Sequence, residues 1–429
     1  MKSPFCPLLI FLLLLLPGSG QAKEMVYLDI TSPDARKVVL GVPWFKNTTE
    51  ADNLDPMGDR LSDTLGRALA FHGIFSLIPD EQYGRRQDAD WKGLGADFVV
   101  QGNYGLTGND LQLEIKLIDV AEDRMLMGKR YKGTRSDEQD MLFKFADSVM
   151  DEMTGVPGIA SSQLAFISDA SGHKEVYLTD ILGSKVRQVT RHKSLVVSPR
   201  FLPDGRFLSY TSYHAGNQNL YITDLRQSRT TRPLSRRKGM NLAPAWSPDG
   251  RQMILTLSKG GNPDLYLLNR KGKIIRQLTQ RSGINVSPSW SPDGKQIAFV
   301  SDRSGRPQIY LMNLADGRVQ RLTFKGSENA EPSWSPNGDL ITYSSLVDGS
   351  YQIFTIPPKA NSSAKQVTTG PGHHESPAWS PDGRQILFSL RKGEEQKVYA
   401  VLKNGSNLRQ LFNLPGHQTS PRWNGSQKK

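Results

Sequence analysis

The 429-residue sequence carries 54 Lys and Arg against 42 Asp and Glu, a formal charge of +12, and a single cysteine. That cysteine, Cys6, sits in an apolar N-terminal stretch, so disulfides, thiolate metal sites and cysteine nucleophiles are excluded from the rest of the chain. The charge is uneven: residues 23–155 hold 16 basic and 24 acidic side chains, net −8, whereas residues 156–429 hold 37 and 18, net +19. Such asymmetry argues for two domains.

Lys2, an apolar run to Leu16 and the small-residue site Gly20-Gln21-Ala22 read as a cleaved secretory signal over residues 1–22. The run is interrupted by Pro7 and is too short for a hydrocarbon core of about 30 Å. No transmembrane segment is expected in the mature chain, which begins near Lys23. In an exported protein the basic half points to acidic partners, an anionic surface or simply a solvated basic face that aids solubility, and not to nucleic acid.

Residues 23–155 read as a small α/β domain. The stretches "KVVLGV", "IFSLI", "ADFVVQG" and "LQLEIKLID" have strand character. A first helix is expected from Asp55, as N-cap before Pro56, to a stop at Gly73, with Met57, Leu61, Leu65 and Ala68 on one face. A second is expected from Ser136, with Gln139 completing a capping box, and presents Leu142, Phe145, Val149 and Met153. The connector "TGVPG" follows.

From there a phrase recurs: "SPRFLPDG", "APAWSPDG", "SPSWSPDG", "EPSWSPNG", "SPAWSPDG" and a truncated "SPRWNGS". Pro199, Pro244, Pro288, Pro332, Pro377 and Pro421 are spaced by 45, 44, 44, 45 and 44 residues. This period suits either a propeller blade or a helix pair, and the interior decides. In "QIAFVSDRSGRPQIYLMNLADGRVQRLT", Gly or Pro interrupts every run before a helix becomes stable, so each repeat reads as strands A, B, C and D. B–C–D units begin at Gln163, Arg206, Arg251, Lys295, Asp339 and Arg384. The first lacks a strand A and the last Pro-x-Trp strand lacks a B–C–D unit, so the C-terminal strand is expected to complete blade 1. The expected fold is α+β in two domains: a small α/β domain at 23–155, then a six-bladed β-propeller at 156–429 closed by its C-terminal strand.

Catalytic signatures are missing: the sequence has no Gly-x-Ser-x-Gly, Walker loop, Gly-x-Gly-x-x-Gly or His-Glu-x-x-His. His373-His374-Glu375 is a poor metal cage because neighbours on an extended segment point apart. No metal or cofactor is expected. Asp204, Asp249, Asp293 and Asp382 occupy fixed places in Pro-Asp-Gly turns and read as turn residues. Trp246, Trp290, Trp334, Trp379 and Trp423, with Phe201, read as packing wedges between blades more than as stacking platforms for a carbohydrate. Strand parity puts the D–A and B–C loops on one face, where Val196, Asn241, Asn285, Asn329, His374 and Gln418 are expected to ring the channel mouth, with Glu331 beside them. Such a ring suits a docking site, or equally a set of solvated loop tips.

These residues converge on a family. In "WKGLGADFVVQG", in "FADSVMDEMTGVPGIASSQLAFIS" and in the "PxWSPDGxxIAFxSDRxGxxQIY" repeat, the chain resembles the TolB family of periplasmic propeller proteins of the Tol-Pal cell-envelope system. The resemblance implies a non-enzymatic adaptor between the TolA protein of the inner-membrane motor and the lipoprotein Pal. It would support outer-membrane integrity and constriction at division, lie in the periplasm against the outer membrane through Pal, and meet other outer-membrane proteins. It implies a TolA-binding segment at 23–34, here Val26, Tyr27, Leu28, Asp29 and Ile30, engaging the TolA C-terminal domain. It also implies Pal docking at Asn241, Asn285, Asn329, Glu331, His374 and Gln418. The competing reading is a propeller hydrolase or carbohydrate-binding protein acting on envelope polymers, with Glu331 and His374 as the only acid–base pair near the mouth.

Overall fold

The computed structural model describes residues 36–49, 56–84, 86–226 and 230–425. The expected signal, the N-cap Asp55 and the segment 26–30 lie outside the described residues. The first domain contains β1 (Val38–Gly41), β2 (Lys46–Asn47), α1 (Pro56–Phe71), β3 (Phe75–Leu77), α2 (Asp80–Tyr83), β4 (Phe98–Thr107), β5 (Asp110–Asp119), β6 (Arg124–Thr134) and α3 (Glu138–Thr154). Its sheet runs β3-β1-β4-β5-β6, with β2 beside β4. The β1 pairings are parallel, and β4-β5-β6 is an antiparallel meander. β5 alternates as its sequence demands: Leu111, Leu113, Ile115 and Leu117 are fully buried and meet Leu61, Leu65 and Leu69 of α1 and Leu142, Phe145 and Val149 of α3.

Two local features differ from expectation. A 3₁₀ turn (Arg135–Asp137) precedes α3, and the Asp137 carboxylate accepts from Thr134 N–H at 2.9 Å and from Thr134 Oγ1 at 2.7 Å. The cap is therefore Thr134–Asp137 instead of Ser136–Gln139, and Gln139 donates to Ser184 Oγ of the propeller at 2.6 Å. β6 escapes the sequence patterns because its residues are half-buried or exposed and include Lys129, Arg130 and Lys132. It exists through its pairing along β5.

The second part is a six-bladed propeller of four-stranded antiparallel sheets. Blade 1 joins strand A (Gln418–Trp423) to B (Gln163–Ser168), C (Glu175–Asp180) and D (Arg187–Gln188). The register pairs Gln418 with Ser168 and Trp423 with Leu164, so the C-terminal strand closes the ring. Blades 2 to 6 run A to D in sequence, their A strands being Val196–Phe201, Asn241–Trp246, Asn285–Trp290, Asn329–Trp334 and His373–Trp379. B and C strands bury nearly every residue because each sheet is covered on both faces by its neighbours.

The first domain rests on the face carrying the A–B and C–D turns. The Phe71 carbonyl, at the end of α1, accepts from Arg409 Nη2 at 2.6 Å and from Gln385 Nε2 at 3.2 Å. The Phe71 ring meets Trp423 edge-on at 6.0 Å. The following residue, His72, is buried, accepts from Ile159 N–H through Nε2 at 3.1 Å, and is kept below its ordinary pKa by that burial. Asp147 of α3 accepts from Ala160 N–H at 2.6 Å and from Ser161 N–H at 3.0 Å, fixing the connector from the other side.

Candidate functional site

Strand A is the innermost strand of each blade, and all six A strands carry the same irregularity. The pairing between A and B slips by one residue at the repeat proline in every blade. The residue before that proline is left-handed: Ser198, Ala243, Ser287, Glu331, Ser376 and Ser420 have φ between 48° and 59°. A residue preceding proline is ordinarily held extended, and a non-glycine residue in this region costs about 1–3 kcal/mol. Six copies of one costly turn around one axis mark the channel wall as the specialised surface of the molecule.

The expected ring at the mouth is built differently from the sequence reading. Asn241, Asn285, Asn329 and Gln418 are 0% exposed and His374 is 1% exposed, so their side chains do not line the mouth. Asn241, Asn285, Asn329 and Gln418, the first residues of their A strands, turn inward and bind the loops, whereas His374 is the second residue of its strand. Asn285 Nδ2 donates to Asp264 Oδ1 at 3.1 Å and to Gly283 O at 2.8 Å, and its Oδ1 accepts from Arg303 Nη2 at 2.8 Å. Asn329 Nδ2 donates to Gln308 Oε1 at 2.8 Å and to Lys325 O at 2.9 Å. Asn241 Nδ2 donates to Arg237 O at 2.7 Å, and Gln418 Nε2 to Leu414 O at 2.7 Å. His374 packs on Phe388 with centroids 5.3 Å apart, and burial lowers its pKa. The four amide side chains therefore hold the D–A loops by their backbone carbonyls, while His374 contributes packing.

A second tier went unread in the sequence. Thr279, Thr323 and Thr368 donate to Asp264, Gln308 and Gln352 at 2.7, 2.9 and 2.9 Å, and each hydroxyl oxygen accepts the N–H of the next C-strand residue at 2.9 Å. Thr190 serves Glu175 in the same way. The signal was the Thr that ends "RQVT", "RQLT", "QRLT" and "KQVT".

Glu331 is half-buried and bridges blades: its carboxylate accepts from Ser376 N–H at 2.6 Å and from Ser376 Oγ at 2.8 Å. Nearby, burial and then the Glu331 charge push the Glu375 carboxyl up. Burial and the hydrogen bond to Glu328 at 2.8 Å push Tyr351 up to about 12. The D–A loops above them expose Leu195, Ile284 and Phe324. Among the described residues, no group of three or more His, Cys, Asp or Glu is placed to hold a metal ion, and no helix is long and apolar enough to cross a membrane.

The tryptophans staple neighbouring blades. Trp290 Nε1 donates to Ala245 O at 2.9 Å and Trp379 Nε1 to Ser333 O at 3.0 Å, each acceptor lying in the preceding strand A. Trp246, Trp379 and Trp423 are buried. In the Pro-Asp-Gly turns, Asp249, Asp293 and Asp382 accept from Ser247, Ser291 and Ser380 and from the N–H two residues on. Their carboxylates are occupied by turn formation.

A closed six-bladed ring, a mixed α/β domain seated on its turn face and a loop face left clear of those contacts define a two-domain propeller scaffold of the kind that presents loops to partners. Residues 26–126 match the TolB amino-terminal domain and residues 150–427 the TolB beta propeller domain. The chain belongs to the TolB family. It is 54% identical over 217 residues to the Tol-Pal system protein TolB of Desulfotalea psychrophila, covering 51% of this chain and 50% of that one. It is 38% identical over 235 residues to the Tol-Pal system protein TolB of Desulfosudis oleivorans, covering 52% and 53%. These matches thus span about half the length of either relative. The crystal structure of TolB from Acinetobacter baumannii superposes with a TM-score of 0.80 at 26% identity, covering 90% of this chain and 96% of that one.

Proposed function

We propose that the chain is a non-enzymatic periplasmic adaptor of the Tol-Pal system, linking the TolA C-terminal domain to the outer-membrane lipoprotein Pal and so supporting envelope integrity and constriction at division. The observation that carries this reading is the division of faces: the first domain rests on the turn face beside blades 6 and 1, while the D–A loops of the other face are tied by buried Asn241, Asn285, Asn329 and Gln418, with His374 packed on Phe388. Loops on a rigid ring are a ready docking surface. Pal meets the loops these residues shape, with exposed Ile284 and Phe324 as apolar contacts and Glu331 behind them. TolA takes the segment 23–34, whose core Val26, Tyr27, Leu28, Asp29 and Ile30 has the alternation needed to add to a sheet edge. Association with other outer-membrane proteins follows through Pal.

The test is calorimetric titration with the soluble domain of the cognate Pal. Phe324→Ser, which touches nothing in the core, is expected to weaken binding at least ~10-fold, as is the triple change Asn285→Ala, Asn329→Ala, His374→Ala with the ring still folded. Deleting 23–34 is expected to abolish binding of the TolA domain and leave Pal binding intact. No heat with Pal for the unaltered protein would overturn the adaptor reading.

A further inference from the structure

We propose that the turn-side half of the propeller channel is a binding site for a small oxyanion, a phosphate or carboxylate group held between the guanidinium groups of Arg422 and Arg200. This site is separate from the loop face and does not depend on the adaptor reading.

The channel opens at the Pro-Asp-Gly end into a cavity of about 380 Å³, within the range of small-molecule sites. At the register position between the repeat proline and the aromatic wedge, four blades place only Ala245, Ser289, Ser333 and Ala378. The remaining two, adjoining blades 1 and 2, place Arg422 and Arg200. Four small side chains leave open the space that two long cationic ones line.

Protein groups leave these cations largely unanswered. A guanidinium has five N–H donors, yet Arg200 Nη1 donates only to Pro199 O at 3.0 Å and Arg422 Nη1 only to Ser376 O at 3.0 Å and Pro421 O at 2.7 Å. Among the described residues no carboxylate forms an ion pair with either. Glu331, the carboxylate whose charge both arginines feel, has its oxygens engaged by Ser376. The rim aspartates are engaged in their turns. Trp423 lines the same cavity, and its indole Nε1 is a buried donor with no protein partner.

Two like charges held side by side in a partly dehydrated wall repel and lose solvation. Burial and the Arg422 charge lower Arg200 well below the ordinary guanidinium value, and burial brings Arg422 down to about 10. Arginine side chains keep their charge in proteins, so the wall presents two cations with no ion-paired carboxylate. A planar oxyanion answers it: guanidinium forks bind carboxylate and phosphate in two parallel hydrogen bonds, and such bonds strengthen where water is excluded.

Five tryptophans line the cavity, so binding has an intrinsic optical signal. The experiment titrates the mature protein with sodium phosphate and, in a second arm, sodium acetate, each against sodium chloride at matched ionic strength. Tryptophan fluorescence and thermal midpoint are recorded throughout. The expected result is a saturable fluorescence change with one or both oxyanions, and a rise in midpoint of a few °C at ~100-fold excess over the dissociation constant. The phosphate and acetate arms separate a phosphoryl from a carboxylate ligand. Arg200→Gln and Arg422→Gln should each weaken binding at least ~10-fold, while Arg318→Gln, at an exposed pair with Asp316, should not change it. Should the Gln variants not fold, Arg200→Lys and Arg422→Lys replace them, with the same weakening expected from loss of the fork. A response indistinguishable from chloride, or one retained in the arginine variants, would overturn the proposal.

Discussion

Truncating Phe71 to alanine tests how much of the docking between the two domains its ring carries. Its ring is 6% exposed although it ends a helix of the first domain, because it is buried against the propeller. It meets Trp423 at 6.0 Å with planes 73° apart, and the Arg409 guanidinium lies 5.1 Å above it. Removing a buried phenyl ring costs about 3–5 kcal/mol. The cation–π contact is already part of that cost, whereas the backbone bonds from Arg409 and Gln385 to the Phe71 carbonyl survive the change. A loss of about 4 kcal/mol is therefore expected, nearly a thousandfold in the folding equilibrium. Because most of it falls on docking, urea unfolding should separate into two transitions, the first reported by Trp423 fluorescence. Phe71→Leu should lose about half as much. A loss under about 1 kcal/mol with one unbroken transition would refute the reasoning.

Three further outcomes are expected. Burial keeps His72 neutral in the folded state, whereas the unfolded chain takes up a proton near pH 6.5, so the fold binds fewer protons and its stability falls as pH drops below about 6.5. That fall is at most about 1.4 kcal/mol per pH unit, and His72→Gln should remove its share of the acid slope measured by urea titration; His192 and His374 are lowered in the same way and retain theirs. Glu331→Ala strands the Ser376 N–H and hydroxyl and should destabilise by about 1–3 kcal/mol by calorimetry, with Glu331→Gln recovering part of the loss. Gly272→Ala should lower the thermal midpoint by several °C, because φ is +84° there and a Cβ would sit 2.1 Å from the Leu234 carbonyl of the preceding blade.

What the sequence revealed depended on how each feature is encoded. Blades and closure were legible because a spacing of 44 or 45 residues between Pro-x-Trp phrases repeats one physical requirement, and because a surplus strand A at 420 matches a missing one before Gln163. The role of Asn285 and its counterparts was not legible, since polarity alone does not say whether a side chain faces water or caps a loop. Only partners distant in sequence, such as Arg303 and Asp264, settle that Asn285 caps one. Left-handed Ser198, Ser287 and Ser376 were hidden because the rule for residues before proline predicts the opposite, and tertiary pairing overrides it. Nothing in the sequence singles out Arg200 and Arg422 within a basic half; the ring sets them beside each other. β6 was missed for a related reason: charged residues on an edge strand erase the alternation by which strands are recognised.

The joining of residues 164 and 423 in one blade has a kinetic side. Closing a loop of that span costs roughly 5 kcal/mol of chain entropy before any pairing repays it, and such long-range contacts slow folding. Until the final strand seats, the other five blades form an open arc with an unpaired inner edge on blade 1. Arg422 travels on that strand, and so does Trp423, against which Phe71 packs. Closure of the ring, completion of the cationic channel and full seating of the first domain are therefore one event on the folding pathway. A ligand that needs both arginines would bind only the closed ring, and would slow its reopening.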